Sequence, residues 1–357
     1  MKRTLQCLML CLLCINAQAS GLKRAADRLI NQVDPAINIG VSVVDLNSGE
    51  TLYQRNASRA FIPASNMKLF SDAAALMALG PDYRFKTQLS TNAKTLKQGT
   101  LNGALYIHLP GDPSLKQVNL ASLFKQLKKL GIKRIKGDVI LVSQNRYISP
   151  EAPGWMIEDL KYSYGAPLAP VIIDENRLTL TVNPAHKSGR PALIETGDKS
   201  GNWLINNQVK TKPRSKHCGI DFSMDRENRL TVRGCVGLGQ WSIRQRIAIR
   251  NPLRYAQQLI KQTLLGMDIK LDGQVKLGSS PGNTILLATH KSKPIAQLMA
   301  DTLKPSDNLY ADSLFLHTAA AIKGQPQNWK AAEITIKDFI HKQTGINLKR
   351  AVLTDGS

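Results

Sequence analysis

Residues 61–70 read FIPASNMKLF. A serine, Ser65, is followed three positions later by a lysine, Lys68, in an otherwise apolar run. On a helix, positions i and i+3 share a face, so the amine would stand beside the hydroxyl. Spacing alone leaves two readings: a nucleophile beside its base, or two ordinary helix residues. The flanking chain weighs on the choice. INIGVSVVDLNSGETLYQRNASRAF (37–61) is two alternating strands around Asn47-Ser48-Gly49, a hairpin whose turn wants glycine. SNMKLFSDAAALMALG (65–80) is a strong helix ending at Gly80, with Pro81 stopping it. Ser65 therefore stands at a helix start, just after a strand hairpin.

The chain opens MKRTLQCLMLCLLCINAQAS: two cations, an apolar run, then Ala17-Gln18-Ala19. That order predicts a secretory signal peptide, residues 1–19, cleaved after Ala19, and hence an exported, periplasmic product. The run is too short to span a bilayer. The large residues before Cys11 and Cys14 argue against a lipoprotein. Of five cysteines, Cys218 and Cys235 lie beyond the leader. In an oxidising compartment an even pair reads first as a disulfide, with two buried thiols as the alternative. His217 is adjacent, but no second ligand pair has zinc spacing, so neither a metal nor another cofactor is expected.

The formal net charge is +22, from 48 Lys and Arg against 26 Asp and Glu, and loss of Lys2 and Arg3 would leave +20. Such a surface suits peripheral contact with an anionic membrane or wall polymer. The lysines in GIKRIKGD (131–138) and VKTKPRSKH (209–217) are scattered without stacking aromatics, and an exported protein rarely meets nucleic acid. No nucleic-acid partner is expected.

At 357 residues the chain exceeds one ordinary domain. Residues 89–283 are mostly short strand patterns, with amphipathic helices expected at NLASLFKQLKKLG (119–131) and NPLRYAQQLIKQTLLG (251–266). Residues 284–357 turn helical again, with two helices broken at Lys304-Pro305-Ser306 and a third, NWKAAEITIKDFIHKQTG (328–345), closed by Gly345. AVLTDGS (351–357) reads as a strand entering a turn. The organisation expected is one discontinuous α/β domain, 20–88 with 284–357, carrying a mostly β insertion, 89–283.

Ser-x-x-Lys recurs, for example at Ser122–Lys125, and Ser-x-Asn occurs at several places, among them Ser143–Asn145, Ser200–Asn202 and Ser306–Asn308. Context separates them. A serine at a helix N-terminus stands where developing negative charge is favoured. Its lysine needs partial desolvation, so that the amine is neutral often enough to accept a proton. Phe61, Met67, Leu69 and Phe70 supply apolar walls around Ser65–Lys68, whereas Lys125 sits beside Lys128 and Lys129 on a solvated face. Ser306 follows a proline at a helix break. It reads as an N-cap, as a site residue, or as both.

Together these stretches resemble the class C low-molecular-mass penicillin-binding proteins, the D-alanyl-D-alanine carboxypeptidase/endopeptidase family. The likeness runs through GVSVVDLNSGETLYQRNASRAFIPASNMKLFSDAAALMALGPDYRFKT, LYIHLPGDPSL, GDVILVSQNRYISPEAPGW, YGAPLAPVIIDENRLTLTVNP, LKPSDNLYADSLF and LTDGS. It implies an α/β (α+β sandwich) fold of the serine penicillin-recognising, transpeptidase-like and β-lactamase-like kind. It also implies acyl transfer: Ser65 attacks the carbonyl between terminal D-alanines of a peptidoglycan stem peptide or cross-link, and Lys68 takes its proton. Ser306 relays that proton, Asn308 holds the substrate amide, and the Ser65 N–H supplies half of an oxyanion hole. β-Lactams would acylate the same serine. Asp159, in PGWMIEDL, matches a family position near the free amine of the diamino acid, with a solvated loop carboxylate as the alternative.

The family's third motif, Lys-Thr-Gly, does not occur in this sequence, and Gln343-Thr344-Gly345 reads as a helix end. The expectation is a catalytic sheet incomplete at the C-terminus and little peptidase activity from these residues alone, with an inactive remnant or wall-polymer-binding pseudoenzyme as the alternative. A class A β-lactamase fits poorly, since its motifs lie closer together without a large β insertion.

Overall fold

The computed structural model describes residues 21–94, 96–145, 148–197, 203–213 and 217–357. The expected leader and the Ser200–Asn202 string lie outside these residues. Contacts divide the chain into two compact units, one ending at Ala64 and one beginning at Ser65.

The first unit holds a helix, α1 (residues 21–33), that the pattern analysis passed over, and a hairpin of β1 (Val41–Val44) and β2 (Thr51–Arg55). The strands are antiparallel with Ser42 opposite Gln54, and they form a two-stranded sheet by themselves. Asp45 accepts the N–H groups of Asn47 and Ser48 at 2.9 and 2.7 Å, and Gly49 takes φ 73°, as the turn requires. Tyr53 donates its hydroxyl to Asp27 on α1 at 2.6 Å.

The second unit opens with a 3-10 turn that runs into α2 (Met67–Leu79), which ends at Gly80 with φ 83°. Then come β3 (Lys86–Thr91), β4 (Leu96–Lys97), β5 (Thr100–Leu101), β6 (Leu105–Leu109), α3 (Gln117–Lys129), β7 (Arg134–Ile135) and β8 (Val139–Ser143). Six strands follow: β9 (Arg177–Asn183), β10 (Leu193–Thr196), β11 (Ile205–Lys212), β12 (Ile220–Met224), β13 (Leu230–Gly237) and β14 (Ile243–Ala248). α4 (Pro252–Leu265) leads to β15 (Lys270–Leu271), β16 (Val275–Leu277) and β17 (Ile285–Lys291), and α5 (Ile295–Leu303), α6 (Asn308–Lys323) and α7 (Trp329–Thr344) close the unit.

The largest sheet has the order β16-β8-β6-β3-β17, with β8 parallel to β6 and β16, and β3 antiparallel to β6 and β17. Gln88 pairs with Thr289, so the division at 88/89 falls inside β3, and the chain after 284 completes the same sheet. Leu89, Ile107, Phe124, Leu141 and Leu259 belong to one continuous core that includes residues of α3 and α4. Cys218 and Cys235 are joined by a disulfide, with Cα atoms 5.0 Å apart. Among the described residues no helix is long and apolar enough to cross a membrane.

A second core, with Ala74, Leu309, Phe315, Leu316, Trp329, Ile336 and Leu353, joins α2, α6, α7 and the last residues. Residues 351–357 form no strand, contrary to their sequence reading. Their polar main chain is taken up by side chains instead. Leu353 N–H donates to Glu333 at 3.3 Å, Gly356 N–H to Asp312 at 2.9 Å, and the Gly356 carbonyl accepts from Ser71 at 2.7 Å. A Cβ on Gly356 would stand 2.5 Å from Phe315 Cβ and 2.7 Å from the Ala311 carbonyl. Overpacking of that kind costs about 1–3 kcal/mol. Gly356→Ala is therefore expected to lower the urea midpoint by that amount of stability, whereas Gly282→Ala, which meets nothing within 4 Å, should leave it unchanged.

Candidate active site

Ser65 lies in the 3-10 turn Ala64–Asn66 and is exposed, and Lys68 follows on the first turn of α2 at 1% exposure. Ala64 is held at φ 46°, a conformation uncommon outside glycine. The Lys68 ammonium donates to Ser65 Oγ at 2.9 Å, to Asn308 Oδ1 at 2.7 Å and to the main-chain oxygen of Ser357 at 3.0 Å. Its three protons thus meet three oxygens. At the Ser122–Lys125 string, Lys125 stands exposed on α3.

Asn308 is the first residue of α6 and is also held from the other side, its Nδ2 donating to the Tyr164 carbonyl at 3.1 Å. The helix is capped by Asp307, whose carboxylate accepts the Tyr310 N–H at 3.3 Å. The expectation of a cap at Ser306 is thereby corrected. Ser306 has φ 58°, and a cap requires extended backbone, which Asp307 supplies with φ −74° and ψ 118°. Ser306 is exposed, and among the described residues its hydroxyl bonds neither Lys68 nor Ser65.

Asp159 accepts the Tyr164 hydroxyl at 2.9 Å. Tyr164 therefore links Asp159, through its phenol, to Asn308, through its carbonyl. Trp155 donates its indole N–H to Asp355 at 3.2 Å, and Asp355 in turn accepts the Ser357 N–H at 2.8 Å. Ser143, at the end of β8, accepts the N–H of Asn145, so that pair closes on itself.

Burial sets the protonation of this cluster. Desolvation pulls the Lys68 amine below its usual range, against the opposing charges of Asp312, Asp307, Asp355 and Asp72. Asp72, one turn along α2, is 1% exposed, and among the described residues neither carboxylate oxygen has a hydrogen-bond partner. Burial pushes it up to about 7, opposed by the Lys68 charge. Asp312 on α6 is likewise raised by burial and by the Asp355 charge, although the Gly356 N–H favours its ionised form. Neither aspartate is among the site residues expected from the sequence. The signal for Asp72 was a single acid in the apolar run LFSDAAALMAL, four residues after a lysine. Among the described residues, no group of three or more His, Cys, Asp or Glu side chains could hold a metal ion.

A carboxyl raised in the folded state contributes stability that is present at low pH and lost as pH climbs through the folded value. For Asp72 that window runs from about 4 to about 7. Asp72→Asn should therefore raise unfolding stability at pH 8 by a few kcal/mol, on the order of 1–4. At pH 4 the two proteins should coincide in urea titrations. Equal stability of the two at both pH values would overturn this account of Asp72.

The family model for D-Ala-D-Ala carboxypeptidase 3 (S13) matches residues 22–357. The chain is 30% identical over 330 residues to D-alanyl-D-alanine carboxypeptidase DacB of Haemophilus influenzae, covering 92% of this chain and 68% of that protein. It is 26% identical over 358 residues to a D-alanyl-D-alanine carboxypeptidase of an Actinomadura species, covering 96% and 65%. The crystal structure of penicillin binding protein 4 from Haemophilus influenzae superposes with a TM-score of 0.82 at 31% identity, over 90% of this chain and 70% of that one. The chain thus spans about two thirds of the length of the curated relatives it matches. The fold is the α/β penicillin-recognising one. The serine beside its buried lysine, the asparagine that closes on that lysine and the family match across nearly the whole sequence lead to one assignment: the chain belongs to the D-Ala-D-Ala carboxypeptidase 3 (S13) family of peptidases.

Proposed function

We propose that this chain carries the acylating half of a serine-type D-alanyl-D-alanine carboxypeptidase/endopeptidase that acts on peptidoglycan stem peptides and cross-links. The observation that carries the reading is the exposed Ser65 hydroxyl at 2.9 Å from a buried Lys68 amine. Ser65 Oγ attacks the carbonyl between the terminal D-alanines. Its proton passes to the neutral Lys68 amine, whose population is raised by burial. The ammonium so formed finds Asn308 and Ser357 oxygens ready at 2.7 and 3.0 Å, so proton uptake leaves no donor orphaned. Ser306, exposed beside the site, relays the proton to the leaving amine, and water then hydrolyses the ester. Asn308 orients the substrate amide. Asp159 receives the amine of the diamino acid from its position on Tyr164. A solved structure of the Haemophilus relative holds a β-lactam, which supports acylation of Ser65 here by the same class of compound. The leader pattern and the disulfide support an exported, periplasmic setting.

Incubation of the protein with a fluorescent penicillin tests this reading. Ser65→Ala should abolish covalent labelling, and Lys68→Ala should slow it by about 10²–10⁴-fold, the usual worth of a positioned base. Lys125→Ala, in the Ser122–Lys125 string of the same spacing, should label at the wild-type rate. A folded wild-type protein that takes no label would favour a wall-polymer-binding role instead.

A second reading concerns the cationic surface, which we assign to peripheral contact with anionic lipid. Trp241 follows the turn after β13 at 95% exposure, with Leu238 beside it at 38%. The main chain of Leu238 bonds Lys212, and Thr211 bonds Arg190. Lys187, Arg190, Lys210, Lys212 and Arg244 are exposed, and among the described residues none has an ion-pair partner. An exposed indole in a region whose neighbouring strands carry exposed cations suits the headgroup layer, where tryptophan sits at the interface and each cation adds roughly 1 kcal/mol. Sedimentation with phosphatidylglycerol vesicles should weaken at least tenfold in Trp241→Ala and in the Lys212→Glu/Arg244→Glu pair. Lys125→Glu/Lys129→Glu, with the same charge change on α3, should have a much smaller effect. Equal losses in the two pairs would reduce the contact to net charge alone.

A further inference from the structure

Asn308 can serve the site only if the start of α6 is held against α2, and the residues that hold it come from the mostly β segment. Arg177, the first residue of β9, has a side chain only 4% exposed and spends its guanidinium on three groups. Nη1 and Nη2 grip the two oxygens of Asp307 at 2.5 and 2.8 Å. Nε donates to the Ser163 carbonyl at 2.7 Å, and Nη1 also reaches Glu175 at 2.8 Å. Asp307 caps α6, and Asn308 is the next residue. Ser163 precedes Tyr164, whose carbonyl holds Asn308 Nδ2. The contacts therefore close a ring, from Arg177 through Asp307 to Asn308, on to Tyr164, and back through Ser163. Asn308 projects from that ring onto Lys68.

The turn before Arg177 is strained. Asp174, Glu175 and Asn176 have φ values of 51°, 60° and 51°, and none is glycine. Each such residue costs of order 1–3 kcal/mol and persists only when its surroundings over-determine it. They do so here. The wholly buried Asn176 donates to the carbonyls of Pro167 and Val171, both at 3.0 Å, and accepts the Ile173 N–H at 3.3 Å. Tyr255 and the Gln117 N–H hold Asp174 at 3.0 and 3.3 Å. Glu175 takes Lys116 at 2.5 Å and Arg246 at 2.6 Å as well as Arg177. A turn fixed on so many sides aims one side chain, and that side chain ends on Asp307. Strain of this kind clusters where geometry matters to function.

We propose that Arg177 is a positioning residue: anchored by the Asp174–Asn176 turn, its guanidinium fixes Asp307 and the Ser163–Tyr164 main chain so that Asn308 stays against Lys68. Only a planar fork fills the role, because a bidentate grip on both Asp307 oxygens together with a third bond from Nε to Ser163 is beyond an ammonium. The kinetic arm of the test rests on acyl transfer at Ser65, and a second arm does not.

In the first arm, Ser65 labelling by a fluorescent penicillin is compared across variants of the full chain. Arg177→Ala should slow labelling by about 10–100-fold, the scale on which a misplaced group near the chemistry is felt. Arg177→Lys should lose nearly as much. Glu175→Gln discharges an equally buried partner of Arg177 but keeps the side-chain shape and an acceptor oxygen that hold the turn, and leaves Asp307 gripped; it should stay within about threefold of wild type even where its urea midpoint falls as far. A merely structural ion pair would make labelling follow stability across all three, which would overturn the proposal. In the second arm, the side-chain amide resonance of Asn308 should shift in Arg177→Ala and Arg177→Lys and hold in Glu175→Gln. An unmoved resonance overturns the proposal whether or not any protein is labelled. If wild type takes no label but the resonance shifts, the acyl-transfer reading falls and the positioning role stands. Should Arg177→Ala not fold, Arg177→Lys decides on both readouts.

Discussion

A buried amine is the constraint around which the rest of the second unit is arranged. Lys68 is 1% exposed, and a charge taken out of water is costly unless it is fully hydrogen-bonded and faces opposite charge. Its three acceptors come from three distant places: its own helix start at Ser65, the α6 terminus at Asn308, and Ser357. Only Ser65 is near Lys68 in the chain; Asn308 and Ser357 lie 240 and 289 positions away. The helical core of Ala74, Leu309, Phe315 and Leu353 brings α2, α6 and the last residues together. Hydrophobic packing thus sets the separation at which the polar contacts become possible, and the polar contacts fix the one arrangement in which no donor is stranded.

What could be read from the sequence was local. The α2 helix, its glycine stop, the break before α6 and the cap at Gly345 all follow from residues within a few positions of each other, and they lie where the pattern put them. The preference for Ser65–Lys68 over Ser122–Lys125 was also local, since apolar neighbours mean burial, and Lys68 is buried where Lys125 is not. The cap reading of Ser306, one of the two left open by the sequence, fails because serine and aspartate are both good caps, and adjacent candidates differ only in backbone angle, which the sequence does not display.

What could not be read was non-local. Arg177 and Asp307 are 130 positions apart, and nothing in either neighbourhood marks the other as its partner. The same holds for residues 351–357, AVLTDGS, which read as a strand entering a turn. A strand needs a neighbouring ladder, and here the main-chain groups meet Glu333, Asp312 and Ser71 instead, so side chains of α7, α6 and α2 do the work a ladder would do. The outer strand pairing of the main sheet, β3 with β17, likewise joins residues about two hundred positions apart. A strand pattern gives the period and the buried face, but not the partner.

The same desolvation that makes Lys68 a usable base acts oppositely on the acids around it. It lowers the amine and raises Asp72 and Asp312, so all three groups are pushed toward their neutral forms. Were the carboxylates ordinary, their charge would hold the proton on Lys68 and the hydroxyl of Ser65 would face an ammonium, which cannot accept one. With Asp72 pushed up to about 7, that hold weakens as the acid protonates, and the amine is freer to accept. As the amine becomes ammonium, its charge in turn favours ionisation of Asp72, so the two groups are coupled through a single helical turn. Burial of an apparently misplaced acid in an apolar helix is thus consistent with the chemistry of the lysine one turn before it: it tempers the field at the base without offering it a permanent counter-ion.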